Sequence, residues 1–243
     1  MKTEGRRGLA IVTAMGIESA GLSRALQVGP WGRRLRRGWH EGLLAGCPVV
    51  LATCGVGPKA ARQWARVLLE EYEPRLVVLT GASGGVGPHV EVGDLVLAES
   101  ICLLQGGHVE ARFASDARFL AVARDIAATA SFRPIRRRYP RVVEARVGTA
   151  RRVVTDGAWA AKLASEHGIL AVEMEGAAIA AACQEYGVPW LAVRAISDVI
   201  GRPWQMLTMV RYLVPAQRNA ERLVFALVER LRRHESGLRS SRV

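Results

Sequence analysis

Late in the chain, four side chains have the types and spacing for proton transfer and hydroxyl binding: Glu173, Glu175, Ser197 and Asp198. Ile169 to Val172 is a short apolar run, and the two glutamates after it sit two residues apart. An extended backbone points such residues the same way. From Gly176 to Cys183 small residues dominate, which suits a helix packed closely on a sheet. Val188 to Ile196 is a second apolar run, broken by Arg194 and closed by Ser197 and Asp198. A strand–helix–strand unit of this length predicts parallel strands whose carboxyl ends share one edge of the sheet. Glu173, Glu175 and Asp198 then converge where open α/β folds bind ligands.

The rest of the chain supplies elements to hold that edge. Gly8 to Ala14 predicts a buried first strand, leading through Met15-Gly16-Ile17 to a helix over Glu18–Leu26. Trp31 to Gly38 is expected to be a basic loop, and Trp39–Leu44 with Pro48–Thr53 a hairpin turning at Ala45-Gly46. A helix is expected over Ala60–Tyr72. Leu76–Leu79 is a strand expected to end in a glycine turn, Thr80-Gly81-Ala82-Ser83-Gly84-Gly85. Leu95–Leu104 is a long strand, Gln105–Ser115 a loop, and Asp116 the N-cap of a helix to Ala130. Phe132–Arg141 is a basic surface segment; Val142–Val154 is strand material interrupted at Gly148-Thr149-Ala150. Asp156 caps a helix to His167, and after Gly201-Arg202-Pro203 a long helix ends near His234.

Strands alternating with helices define an α/β protein: a single three-layer domain over residues 1–234, with a central mixed, largely parallel sheet flanked by helices. Residues 235–243 are expected to be a polar tail. The formal charge is +12, carried by arginine, since Lys2, Lys59 and Lys162 are the only lysines. The basic clusters Arg33–Arg37 and Arg133–Arg141 raise the alternative of a nucleic-acid-binding protein. They lack interleaved aromatics over most of their length, so nucleic acid is not the expected partner. The four cysteines sit in or near apolar segments and fit reduced core thiols of a cytoplasmic protein. No stretch reaches the roughly 18 apolar residues of a membrane span. The histidines lack metal-ligand spacing, so neither a metal site nor a cofactor is expected.

The order of motifs is more specific than any one of them: Ala14-Met15 with Glu18, the Thr80–Gly85 glycine stretch, Val92-Gly93-Asp94, Val172-Glu173-Met174-Glu175 and Arg194-Ala195-Ile196-Ser197-Asp198. Together they resemble the nucleoside phosphorylase/nucleosidase superfamily, and most of all its 5′-methylthioadenosine/S-adenosylhomocysteine nucleosidases. The resemblance implies hydrolysis of the N-ribosidic bond of 5′-modified adenosines to release adenine. Cleavage requires a proton for the departing base, because an adenine anion is a poor leaving group. The resemblance gives that role to Asp198, the general base for water to Glu18, and the orientation of water and carboxylates to Arg194. It places Met174 on the sugar and Glu175 on the ribose hydroxyls, with Met15, Ala82, Ser83, Gly84, Val153, Val154, Glu173 and Ser197 as further substrate contacts. It also implies a homodimer, with Met206, Leu207, Met209 and the partner's loop after Leu104 around the 5′ substituent.

Two departures bear on chemistry. Phosphorylases of the hexameric kind grip phosphate with an arginine before the glycine stretch and a serine within it; the resemblance puts Leu79 and Ala82 at those positions. A missing guanidinium is hard to replace for a dianion, which favours water as nucleophile. Arg151 and Arg152 are the alternative anion ligands. The aromatic residue that stacks on adenine aligns with Val153, so the lid over the base is small and aliphatic.

Overall fold

A computed structural model gives the fold for residues 8–27, 38–106 and 108–240; the expected basic loop before Gly38 and the Arg33–Arg37 cluster lie outside the described residues. Among them are nine strands in one mixed sheet and six α-helices, the α/β layering expected from the alternating pattern. β1 (Leu9–Thr13) lies between β3 (Cys47–Thr53) and β4 (Leu76–Gly85), parallel to both. Every β1 residue is buried, as a strand covered on both faces requires. β2 (Trp39–Leu44) forms the hairpin edge with β3, and Ala45 and Gly46 both take positive φ, the conformation of a two-residue primed turn.

β5 (Leu95–Gln105) pairs in parallel with β7 (Val142–Thr149), and β7 with β8 (Ile169–Glu173). β9 (Trp190–Val199) runs parallel to β4 and antiparallel to β5, while the end of β4 pairs antiparallel with β8. The pairings therefore close a ring, β4–β8–β7–β5–β9 and back to β4. This corrects the expectation of parallel strands around the late helix. β8 and β9 share β4 as a neighbour, parallel to β9 and antiparallel to β8.

Two further expectations change. The glycine stretch after Leu79 is not a turn: β4 continues to Gly85 with a register shift between Ser83 and Gly84. Its glycines serve close approach, and none of Gly81, Gly84 or Gly85 has positive φ. Residues expected as a loop after Gln105 include β6 (His108–Ala114), an edge strand antiparallel to β5 whose polar residues alternate with half-buried ones. β7 also runs unbroken through Gly148, where a Cβ would come within 2.6 Å of Leu104 Cδ1.

α1 (Ala20–Ala25) follows a 3₁₀ turn over Gly16–Ser19, and α2 (Pro58–Tyr72) buries Ala61, Ala65, Leu68 and Leu69 on one stripe. α3 (Ala117–Thr129) and α4 (Gly157–His167) begin at Asp116 and Asp156, whose carboxylates accept two backbone N–H bonds each. α5 (Gly176–Glu185) is built from small buried residues, which bring its axis close to the sheet. α6 (Gln205–Ser240) buries Ala216, Ala220, Leu223, Val224, Leu227, Val228 and Leu231 along one stripe and continues past the expected end near His234.

Candidate active site

The glycine-rich end of β4 organises the site. Gly84 is paired on one side with Val172 at the end of β8 and on the other with Asp198 at the end of β9. Carboxylates from two strands of opposite sense thus meet across a residue with no side chain. The predicted convergence is correct, but a shared neighbour causes it, and not parallel strands. Gly81 makes room in the same way: a Cβ there would lie 2.8 Å from Arg194 Nη1 and 3.0 Å from Glu18 Oε1.

Glu18 is 2% exposed on the turn after β1. Its Oε2 accepts from the N–H of Ala14 at 3.0 Å and of Met15 at 2.9 Å, and its Oε1 from the N–H of Ala82 at 2.8 Å. From α6, Gln217 Nε2 donates to the Glu18 carbonyl at 2.8 Å and to Thr80 Oγ1 at 3.1 Å. Burial raises the Glu18 carboxyl above its ordinary value, outweighing those donors and the nearby Arg194 charge.

Glu173 is spent on the protein itself. It accepts from Thr149 Oγ1 and Arg194 Nη2, from Glu175 N–H at 3.1 Å and from Gly176 N–H at 2.7 Å. Thr149 Oγ1 accepts in turn from Ala177 N–H at 2.8 Å. The free N–H groups at the start of α5 are thereby satisfied, and Arg194 is locked below the cavity floor. Expected as a substrate contact, Glu173 stands at the cavity edge as the anchor of Arg194. Glu175 is left facing inward, accepting from Gly57 N–H at 2.6 Å. Burial first, then the Glu173 charge, pushes its carboxyl up to about 7.

Asp198 is 3% exposed; Ser197 Oγ donates to its Oδ1 at 2.7 Å and Gln205 Nε2 to its Oδ2 at 2.9 Å. Burial raises its carboxyl despite both donors. Ser83 Oγ is buried without a hydrogen-bond partner among the described residues, and so is Arg194 Nε.

A cavity of about 250 Å³ joins these groups. Met15, Glu18, Ala82, Ser83, Gly84, Val153, Val154, Glu173, Met174, Glu175, Ser197 and Asp198 all line it; Arg194, buried at 3%, does not reach its wall. Arg152 lines the cavity, whereas Arg151 lies in the neighbouring groove. Met209 is on the wall and Val153 is exposed at the rim, whereas Met206 and Leu207 are exposed and off the wall. Gln205, Gln217, Thr149 and Gly57 are the residues sequence reading missed. Only Thr149 carries a sequence signal, its place in the Gly148-Thr149-Ala150 interruption of an apolar run; the others act through tertiary contacts of no recognisable spacing.

This ring of strands, with carboxylates around a cavity of about 250 Å³, defines an α/β protein whose candidate site lies at the strand ends. The chain belongs to the Phosphorylase superfamily, whose profile matches residues 9–230. Within it, the chain is 32% identical over 240 residues to the 5′-methylthioadenosine/S-adenosylhomocysteine nucleosidase of Chromohalobacter salexigens, covering 93% of this chain and 98% of that one. It superposes with TM-score 0.78 and 26% identity on the corresponding nucleosidase of Colwellia psychrerythraea solved with adenine, over 90% of this chain and 93% of that one. The fold is also that of the Helicobacter pylori futalosine hydrolase, with TM-score 0.77 at 19% identity over 93% of this chain and 98% of that one. Among the described residues no helix is long and apolar enough to cross a membrane.

Proposed function

We propose that the chain is a nucleosidase that hydrolyses the N-ribosidic bond of 5′-modified adenosines. The observation that carries this is the shared cavity: Glu18 and Asp198, from opposite ends of the chain, line one space with Glu175 between the strand ends. In this reading Asp198, kept protonated by burial, delivers its proton to N7 of the purine as the C1′–N9 bond breaks and its electrons move to the base. The ribosyl carbon becomes cationic, and the surrounding carboxylates stabilise it. A water attacks C1′ and Glu18 takes its proton, while Arg194, held by Glu173, sets the field over the floor. Glu175 accepts the ribose hydroxyls, Met174 packs on the sugar, and Ser83 offers an unused hydroxyl to the substrate.

Water is favoured over phosphate as nucleophile. Four carboxyl groups line the cavity, Leu79 is buried in the core where phosphorylases carry their arginine, and among the described residues Arg152 is the one guanidinium in the wall. A phosphate dianion would meet the Glu18 carboxylate without the strand arginine that grips it in phosphorylases. Met209 and Leu213 make the remaining wall apolar, which suits an apolar 5′ substituent. A second copy of the chain is the proposed partner, and the cytoplasm the proposed location.

Incubation with 5′-methylthioadenosine, with and without phosphate, tests the reading. Free adenine and a reducing sugar at equal rates in both mixtures support it; a sugar 1-phosphate formed only with phosphate replaces hydrolysis by phosphorolysis. No adenine in either mixture, together with no binding of adenine, removes the assignment.

A further inference from the structure

The start of α6 places a glutamine where a base would bind. Gln205 Nε2 donates to the Val154 carbonyl at 2.9 Å and to Asp198 Oδ2 at 2.9 Å, so one –NH2 group bridges both acceptors. Its Oε1 accepts from Gly201 N–H at 3.2 Å, which completes the amide's bonding on the far side. Val154 and Asp198 face the cavity from different elements, and Gln205 lines it with them. These are a backbone carbonyl and an acidic oxygen converging on a single donor nitrogen. An exocyclic amino group on a planar base needs the same pair of acceptors.

We infer that Gln205 is a stand-in for the amino group of the base: its amide fills the base site in the free enzyme and leaves when a 6-aminopurine binds. The inference rests on the nucleosidase reading above. Displacement calls for a side-chain rotation and no rearrangement of the fold, because Gln205 is half-buried on the first turn of α6. While in place, the amide holds the half-buried Val154 carbonyl and the buried Asp198 carboxyl at the spacing an amino group uses, and keeps both acceptors from standing empty. It also favours the charged form of Asp198, so the acid holds its proton to higher pH once the amide has been pushed aside.

The test is Gln205→Met, similar in length and without donors, compared with the unaltered chain by steady-state kinetics across pH and by calorimetric titration with adenine. Adenine should bind on the order of 3- to 10-fold more tightly to the variant, since it no longer breaks two hydrogen bonds of ordinary net strength. The alkaline limb of kcat/KM, which reports the free enzyme, should move to higher pH, and that of kcat, which reports the complex, should stay. A glutamine that stays on Asp198 during turnover moves both limbs together, and that result overturns the inference while leaving the nucleosidase reading intact. Weaker adenine binding by the variant also overturns it, because Gln205 then assists the base. If the unaltered chain neither releases nor binds adenine, the nucleosidase reading falls and takes the inference with it.

Discussion

At the scale of single residues, the site separates groups that face the cavity from groups that hold them in place. Glu173 and Arg194 form a buried pair in which the other bonds of Glu173 go to Thr149 and the start of α5. Glu18, Glu175 and Asp198 keep carboxylate surface toward the cavity, and burial raises all three. The cysteines offer no competing nucleophile: all four are buried, and burial pushes Cys54, beside Glu175, up to about 12. Asp198→Asn should therefore cost about 10²–10⁴-fold in kcat, the usual worth of a positioned acid, with the fold retained. Adenine release measures the loss, and circular dichroism checks the fold. The pH profile has a fixed sign. Activity should fall as pH rises and Asp198 loses its proton, and fall again at low pH as Glu18 gains one. Both limbs should lie above the pH of ordinary carboxylates, and Glu18→Gln should erase the acid limb in whatever rate remains.

At the scale of elements, the end of β4 sets the spacing of the site. Gly81→Ala puts a methyl 2.8 Å from Arg194 Nη1 and 3.0 Å from Glu18 Oε1, so one of the two charged heads must shift. The expected outcome is at least a 10-fold loss of kcat, since a displacement well under 1 Å is costly at a reacting centre. The melting temperature should change little. The same strand shows what the sequence disclosed and what it hid. Uniform apolar runs gave β1, β8 and β9, and the Asp116 and Asp156 caps fixed two helix starts, because those signals are local. The Thr80–Gly85 stretch reads as a turn in sequence and is strand in the fold, because three glycines look alike whether they bend a chain or admit neighbouring side chains. β6 was missed because its edge position leaves it polar enough to resemble a loop. The antiparallel contact of β4 with β8 had no local signal at all; it follows from closing the ring. The site residues nevertheless came together, since their order along the chain carries more information than the direction of any one strand.

At the scale of the whole molecule, much of the basic segment after α3 is committed internally. Arg138 and Arg141 pair with Asp94, which sits at the start of β5 and is 2% exposed. The Arg133 N–H donates to Asn219 Oδ1 at 2.9 Å, and the Arg136 guanidinium lies 4.6 Å from the Tyr212 ring centre. Two guanidiniums on Asp94, one on the Tyr212 ring and the Arg133 backbone stitch residues 132–141 to the sheet and to α6, so part of this charge has a structural use. Asp94 and Glu175 consequently pull stability in opposite directions with pH. Burial alone would raise Asp94, but the Arg141 N–H and the two guanidiniums hold it below the ordinary range, so its contribution is present above about pH 4 and fades as pH falls through its folded value. Glu175 is the reverse. With a folded value of about 7, its contribution is full below the ordinary carboxylate pKa and is lost as pH rises toward and past 7. Glu18, Asp198 and Glu221, all raised by burial, add to the loss on the alkaline side. Scanning calorimetry should therefore give a melting temperature that peaks in mildly acid buffer and declines between about pH 5.5 and about pH 8, where ordinary surface carboxylates no longer titrate. Glu175→Gln should flatten that decline without touching the acid side. Asp94→Asn should lower the peak, leave the alkaline slope, and expose the Phe132–Arg141 segment to trypsin. A melting temperature that rises steadily to about pH 8 would mean that Glu175 is ionised at little cost in the fold and that the strand ends are more open to water than their burial describes.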